Sequence, residues 1–206
     1  MDHAVALVQA YLHVNGYLTV AEAPVLQALE GGGYKTATDI DLLALRLPHA
    51  GGATPIGTEP ADPGFRPDPV LATQDARPDL LIVEVKEGRA EMNPGLRQAG
   101  VLEAVLTRWG FCPADRAAKV ARRLAREGEA RVPSGPRIRI LAFGSIVDPK
   151  RVRGIGAISL AHVISYLHNY IREHWEIVRH AQVRQPVLGL LALLEQAGRQ
   201  EAGEGD

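Results

Sequence analysis

The chain has little cysteine and no long apolar run, and each shortage excludes a class of protein. The single cysteine, Cys112, excludes an intramolecular disulfide and a zinc site built from several cysteines. No apolar run approaches the roughly 20 residues needed to cross a bilayer, so we expect no membrane partner. The start of the chain lacks a basic segment and a small-residue cleavage site, which predicts that there is no signal peptide. Together these absences predict a cytoplasmic protein.

The chain also lacks a large net charge, although its basic residues are concentrated in one stretch. The net charge of −1 argues against a protein coated with basic residues throughout. Between Arg116 and Arg153, however, eleven Lys and Arg residues face only three acids, a local net charge of about +8. This stretch fits either a solvated helix face or a surface that binds nucleic-acid phosphates. A helix predicted over residues 114–126 carries the four main candidates for such contacts: Lys119, Arg122, Arg123 and Arg126.

The order of predicted elements indicates an α/β protein. With 46% hydrophobic and 23% charged residues, the composition is that of an ordinary globular chain. Apolar periodicity and turn residues predict the order α-β-β-β-α-α-β-α-α, a mixed sheet flanked by helices, with additional C-terminal helices. We assign residues 1–183 to one domain that contains a long Pro- and Gly-rich loop, 48–78, and residues 184–206 to a C-terminal helix and polar tail. Strands are predicted over 17–30, 34–48, 79–86 and 137–147, and helices over 3–14, 96–108, 114–126, from 159 onward, and from 186 to 196.

The stretch "PDLLIVEVKEG", residues 78–88, places two charges in a strand that is otherwise typical of a fully buried one. Side chains alternate along a strand, so Glu84 and Lys86 point to the same face. The preceding strand contains "TDIDLLA", in which Asp39 and Asp41 also share a face. If the two strands are neighbours, Asp41 and Glu84 converge on one site beside Lys86.

Two interpretations of these charges remain open from the residues alone. Two carboxylates with open water positions suit Mg²⁺, a hard ion that keeps several waters and binds phosphate oxygens. Lys86 would then act on the attacking water or on the charge of the phosphate. Alternatively, Glu84 and Lys86 form a structural ion pair at the end of the strand.

An acid on one strand, followed by Glu-x-Lys on the next, resembles the PD-(D/E)XK nuclease superfamily, which has the restriction-endonuclease-like fold. "TDIDLLALRLP" and "LLIVEVKEG" are most similar to the branch of archaeal Holliday-junction resolvases and small bacterial nucleases. The resemblance covers residues 3–100. It implies that Asp41 and Glu84 bind Mg²⁺, for which Mn²⁺ can substitute, that Lys86 is the catalytic lysine, and that Gln98 is a further polar residue of the site. It also implies a nucleic-acid substrate, with DNA expected.

Three features depart from that family. The first helix has no Glu at the usual place, so Gln9, Glu22 or Asp39 is left to complete the metal site. The loop 48–78 is longer than in the smallest resolvases. The literal Pro-Asp pair does not match the motif, because Asp79 lies on the opposite face of its strand, about 17 Å from Glu84.

Other functions and an assembly state also follow from the sequence. A nuclease fold that has lost its activity would serve as a nucleic-acid-binding or protein-interaction module. Cutting both strands of a duplex or junction requires two sites, which a homodimer supplies. The apolar segment "PVLGLLALLEQ", residues 186–196, is a candidate for the dimer interface or for the last core helix of a monomer.

Overall fold

The computed structural model describes residues 2–51, 66–74, 76–133, 135–152, 154–181, 185–201 and 203. Six strands form its sheet: β1 (Tyr17–Ala28), β2 (Tyr34–Arg46), β3 (Asp79–Arg89), β4 (Glu129–Arg131), β5 (Arg137–Ile146) and β6 (Gly156–Ser159). The α-helices of the described residues are α1 (His3–Val14), α2 (Ala99–Arg108), α3 (Ala114–Glu127), α4 (Leu160–Glu173), α5 (Trp175–Val178) and α6 (Pro186–Glu201). Short 3-10 turns occupy Pro69–Leu71 and Pro94–Arg97.

The strands form one mixed sheet in the order β1-β2-β3-β5-β4, and β6 also pairs with β5. The strands β1, β2 and β3 are successively antiparallel, whereas β3 and β5 run parallel. The pairing of β2 with β3 confirms that the two strands carrying the predicted site are neighbours. The α/β fold with a mixed sheet flanked by helices is therefore confirmed.

Helices cover both faces of the sheet, which explains why β3 is apolar along most of its length. Leu81, Val83 and Val85 pack in a cluster that includes buried residues of α1 and α4. Leu80 and Ile82 point the other way and pack in a cluster that includes buried residues of α2 and α3. Glu84 continues the series of Leu80 and Ile82 by strand alternation, so its side chain lies on the α2 and α3 side of the sheet.

The helices α1 and α4 begin after capping residues that the sequence predicts, Asp2 and Ser159. The buried face of α4 matches the apolar spacing of the sequence only in part. Asp2 caps α1 by accepting a hydrogen bond from the Ala4 amide at 2.8 Å, and Ser159 caps α4 by accepting one from His162 at 3.1 Å. The spacing of Ile164, Leu167, Ile171, Trp175 and Val178 predicts a buried stripe. Leu167 and Ile171 are buried, and Trp175 and Val178 pack partly against the core, but Ile164 is 49% exposed. Val163 is buried in place of Ile164, together with Leu160 at the start of the helix.

In the predicted loop 48–78, residues 52–65 and 75 lie outside the described part of the chain. The segment 66–74 is bonded to the neighbouring helices through Asp68. Asp68 is buried and accepts hydrogen bonds from the Tyr11 hydroxyl at 2.7 Å and from the Val70 amide at 3.0 Å. Nε2 of His162 lies 2.6 Å from the same carboxylate. The contacts of Asp68 with Tyr11 and His162 therefore hold the segment against α1 and α4.

Asp79 belongs to a buried ion pair at the start of β3. Its carboxylate accepts hydrogen bonds from Nε of Arg139 at 3.1 Å and from the Tyr17 hydroxyl at 2.6 Å, and it is also bonded by the second guanidinium nitrogen. Both Asp79 and Arg139 are buried. Arg139 also donates to the Leu71 carbonyl at 2.8 Å. The Pro-Asp pair therefore stabilises the fold at the end of β3 opposite to Glu84.

We expect Asp79→Ala to lower the free energy of unfolding by about 3–5 kcal/mol, because it leaves the Arg139 guanidinium buried without its counter-charge. Urea unfolding followed by circular dichroism measures this change. The double variant Asp79→Leu with Arg139→Leu removes both charges and should recover much of the loss. An Asp79→Ala protein as stable as the wild type would show that the pair does not support the fold.

Candidate metal centre where the pairing of two strands ends

The register of β2 against β3 places Asp41 opposite Glu84. The ladder runs from the pair Arg46 and Asp79 to the pair Leu42 and Val83, and the next positions are Asp41 and Glu84. Here the backbone ladder stops, and Oδ2 of Asp41 instead accepts a hydrogen bond from the Val85 amide at 2.7 Å. The Asp41 side chain thus takes the place of a strand partner, which fixes its carboxylate beside the following residues of β3.

Glu84 is bonded through only one of its two carboxylate oxygens. Nζ of Lys86 donates to Oε1 at 2.6 Å, so the predicted ion pair is present. The Glu84 side chain is 1% exposed, whereas that of Lys86 is 39% exposed. Oε2 of Glu84 is buried and has no hydrogen-bond partner among the described residues. A buried carboxylate oxygen without a partner costs free energy, and a purely structural pair has no need for one.

Burial and mutual repulsion disfavour charge on the two carboxylates. Burial raises the pKa of Glu84, and the negative charge of Asp41 raises it further. Bonding to Lys86 and the approach of the Asn93 amide lower the pKa of Glu84, but that amide donates to Thr38 and does not reach hydrogen-bonding geometry at Oε2. Burial likewise raises the pKa of Asp41, although the Val85 amide and Lys86 act in the opposite direction. Burial opposes the charge of Lys86, but its bond to Glu84 and its attraction to both carboxylates raise the pKa of Lys86 overall. The site therefore has an excess of negative charge that a cation would relieve.

The residues present fit a hard divalent cation such as Mg²⁺. Asp41 and Glu84 offer carboxylate oxygens, and one of these, Oε2 of Glu84, is buried without a partner. In the described part of the chain no group of three or more His, Cys, Asp or Glu side chains is arranged to hold a metal. Mg²⁺ commonly binds through one or two carboxylates and keeps several waters, so two acids are compatible with it.

The other predicted residues have different surroundings. The Gln9 amide donates to the Thr19 hydroxyl at 3.0 Å, and Asp39 is exposed but adds to the negative potential at Asp41. Glu22 is exposed, and its φ of 55° lies in the left-handed region. In the antiparallel pairing of β1 with β2, the position of Glu22 is opposite that of Asp41. Gln98 is exposed at the N-cap of α2 and makes no capping hydrogen bond. None of these four is hydrogen-bonded to Asp41, Glu84 or Lys86, so their roles in the site stay predictions.

Asn93, which the sequence did not suggest, lies at the site. The Asn93 amide donates to the Thr38 hydroxyl at 3.0 Å, and Asn93 also lowers the pKa of Glu84. The Asn93 side-chain oxygen accepts a hydrogen bond from the Gly95 amide at 2.9 Å and thereby caps the 3-10 turn. The signal available in the sequence was the Asn-Pro-Gly turn in "EMNPGLRQ", which predicts a turn but does not say what it packs against.

The residues of α3 predicted to contact nucleic acid are exposed, and so are several leucines of α6, the predicted dimer interface. Lys119, Arg122, Arg123 and Arg126 all lie on the solvent side of α3. In α6, Leu188 is buried, while the most exposed leucines are Leu190 at 59%, Leu193 at 65% and Leu194 at 61%. The helix thus packs one side on the core and leaves another uncovered. The homodimer stays a prediction.

Comparison with other proteins leaves the function to be argued from the site itself. No protein-family model, curated protein or solved structure matches this chain. Across the described residues, no helix is long and apolar enough to cross a membrane. The geometry around Glu84 is therefore the observation from which a function has to be inferred.

The raised pKa of Glu84 gives a prediction for stability in the absence of metal. A carboxyl whose pKa is higher in the folded state contributes stability below its unfolded pKa of about 4.3, and this contribution is lost as the pH rises through the folded value. Glu84→Gln removes the charge, so the variant should have a higher Tm than the wild type at pH 7 to 8 in EDTA. The difference should disappear below about pH 4.

Thermal melts across this pH range, with and without Mn²⁺, measure the effect. Mn²⁺ should raise the Tm of the wild type but not that of Glu84→Gln, because an ion that binds only the folded state stabilises it. The matched control is Glu176→Gln, which removes a carboxylate of α5 that is 78% exposed. A variant that melts below the wild type at pH 8 in EDTA would contradict the prediction.

Proposed function

We propose that this protein is a metal-dependent nuclease that hydrolyses phosphodiester bonds of nucleic acid, with DNA as the expected substrate. The observation that supports this proposal most strongly is the unpaired, buried oxygen of Glu84 beside Asp41 and Lys86. A fold that only needed an ion pair would gain stability from satisfying both oxygens. The same three residues match the Asp and Glu-x-Lys pattern of the PD-(D/E)XK nucleases.

The residues take different parts in the proposed reaction. Asp41 and Glu84 would hold Mg²⁺, and a bound Mg²⁺ supplies an activated water and neutralises charge on the phosphate. Lys86 is partly exposed, so its ammonium group can reach the attacking water or a phosphate oxygen while it is still held near Glu84. The Val85 amide orients the Asp41 carboxylate, and Asn93 lowers the pKa of Glu84, which favours its charged form.

A panel of labelled single-stranded, duplex and junction DNA, with the matching RNA molecules, tests the proposal. Each substrate is incubated with Mg²⁺, Mn²⁺ or EDTA, and the products are separated on a denaturing gel. We expect cleavage of DNA with either metal and none in EDTA. Binding without cleavage of any substrate would overturn the proposal and favour a catalytically silent binding module.

A further inference from the structure

A strongly basic cavity lies at the surface between α3 and β4, away from Glu84. Its volume is about 890 Å³. Six of the side chains that line it are cations and one is a carboxylate, Glu127. All six cations are exposed. They are Arg116, Lys119, Arg122, Arg123, Arg126 and Arg131.

Four of the six cations form a stripe along α3, and Arg122 and Arg131 line the cavity beside it. Positions 116, 119, 123 and 126 follow the helical spacing of three and four residues, which places them on one side over a length of about 15 Å. Glu127 bonds to Nε of Arg123 at 2.7 Å and to the Arg126 guanidinium at 2.6 Å. No carboxylate of the described residues is paired with Arg116, Lys119 or Arg122. These three are available to an anion, and guanidinium groups bind phosphate oxygens in pairs of hydrogen bonds.

The lining indicates what kind of nucleic acid the cavity would bind. Its uncharged members are Val120, Ala130 and Pro133, and no aromatic side chain is among the described residues that line it. Sites for single strands usually stack bases on aromatic rings, whereas a duplex keeps its bases stacked and presents its phosphates. The chemistry of this cavity therefore suits the phosphate backbone of a duplex better than the unstacked bases of a single strand.

The ladders show on which side of the sheet the cavity lies. Ala130, which forms one wall of the cavity, pairs with Ile138 in β5, and Ile138 in turn pairs with Leu80 in β3. The backbones of Ala130 and Glu84 are about 16 Å apart, since four residues along β3 and two strand spacings separate them. Ala130, Leu80 and Ile138 belong to the same apolar cluster, so the cavity and Glu84 lie on the same side of the sheet, that of α2 and α3.

We propose that this cavity binds the sugar-phosphate backbone of double-stranded nucleic acid, on the same side of the sheet as Glu84. The proposal rests on the proposed nuclease function for the cutting of that duplex, but the binding itself does not depend on catalysis. It makes duplex the preferred substrate form.

Fluorescence anisotropy in EDTA tests the binding with a 16-base-pair hairpin duplex and a single strand of equal length. The test variant is Arg116→Ala with Arg122→Ala, and Arg116→Lys with Arg122→Lys is the charge-preserving form. The matched control is Arg172→Ala with Arg179→Ala, which removes two partly or fully exposed arginines outside α3 and β4. We expect the test variant to bind the duplex about tenfold or more weakly, with a salt slope smaller by about 2. The control should match the wild type, and the lysine form should recover most of the affinity.

Cleavage of the same duplex with Mn²⁺ is measured separately, so that the two proposals fail in different ways. If the wild type does not cut but its duplex affinity depends on Arg116 and Arg122, the nuclease function is wrong and the duplex-binding surface holds. If the wild type cuts and the test variant binds duplex as tightly as the control, the surface is wrong and the nuclease function holds. A wild type that prefers the single strand would also overturn the assignment to duplex.

Discussion

Glu84→Gln should lower the rate of DNA cleavage by at least about a hundredfold while the protein stays folded. Glutamine keeps the shape of the side chain but has no negative charge, so it cannot replace a carboxylate that holds a divalent cation. Folding should survive because the change removes a charge from a buried position whose second oxygen has no partner. The measurement is the initial rate of duplex cleavage with saturating Mg²⁺, together with circular dichroism of the same preparation.

The matched control for this variant is Glu87→Gln, which makes the same replacement at an exposed position of the same strand. Its cleavage rate should stay within a few-fold of the wild type. Affinity for duplex in EDTA should be unchanged in both variants, since phosphate contacts come from arginine and lysine rather than from the carboxylates. A Glu84→Gln protein that cuts as fast as the wild type would refute the nuclease proposal and leave Glu84 as part of a structural pair.

Lys86→Ala should also lower the rate of cleavage by at least about a hundredfold, because it removes the group that acts on the attacking water or the phosphate. Within the described part of the chain, the ammonium group is attracted by Asp41, but its hydrogen bond and ion pair are to Oε1 of Glu84. Removing it leaves both acids in place, so Mn²⁺ should still raise the Tm of the variant. The expected outcome is therefore loss of the reaction with metal binding retained.

The comparison between rate and metal binding separates two roles for this lysine. If Lys86→Ala loses cleavage and the Mn²⁺ shift in Tm together, Lys86 acts by holding Glu84 in position rather than on water or phosphate. Lys86→Arg is informative because it keeps the positive charge but changes the shape of the donor group. Lys150→Ala, at an exposed position outside the site, is the control and should cut like the wild type.

Much of the central sheet could be predicted because its signals are local. The apolar run of β3, the period-two alternation of β2 and the capping residues Asp2 and Ser159 each act within a few residues. The short strands β4 and β6 could not be predicted, since three or four residues form a strand only because a neighbour, β5, is already there. The burial of Val163 rather than Ile164 in α4 could not be predicted for the same reason, because tertiary packing decides which of two adjacent apolar residues is covered.

The site was predictable only in part. Strand alternation and the assumption that two strands are neighbours were sufficient to bring Asp41, Glu84 and Lys86 together. The exact register, the bond from the Val85 amide to Asp41 and the approach of Asn93 all depend on where β2 leaves the ladder. No local pattern encodes that point. The resemblance to a nuclease family supplied the chemistry, and the chain's own geometry supplies the unpaired oxygen that makes it testable.

The two buried carboxylates of β3 differ in how well they are bonded, and this has a consequence for protein engineering. The Asp79 carboxylate is bonded by Arg139 and Tyr17, whereas the Glu84 carboxylate has an oxygen with no partner among the described residues. A library screened only for heat resistance in metal-free buffer would therefore retain Asp79 and accumulate neutral replacements at Glu84. Such a screen would select the most robust proteins by removing the residue on which their proposed activity depends.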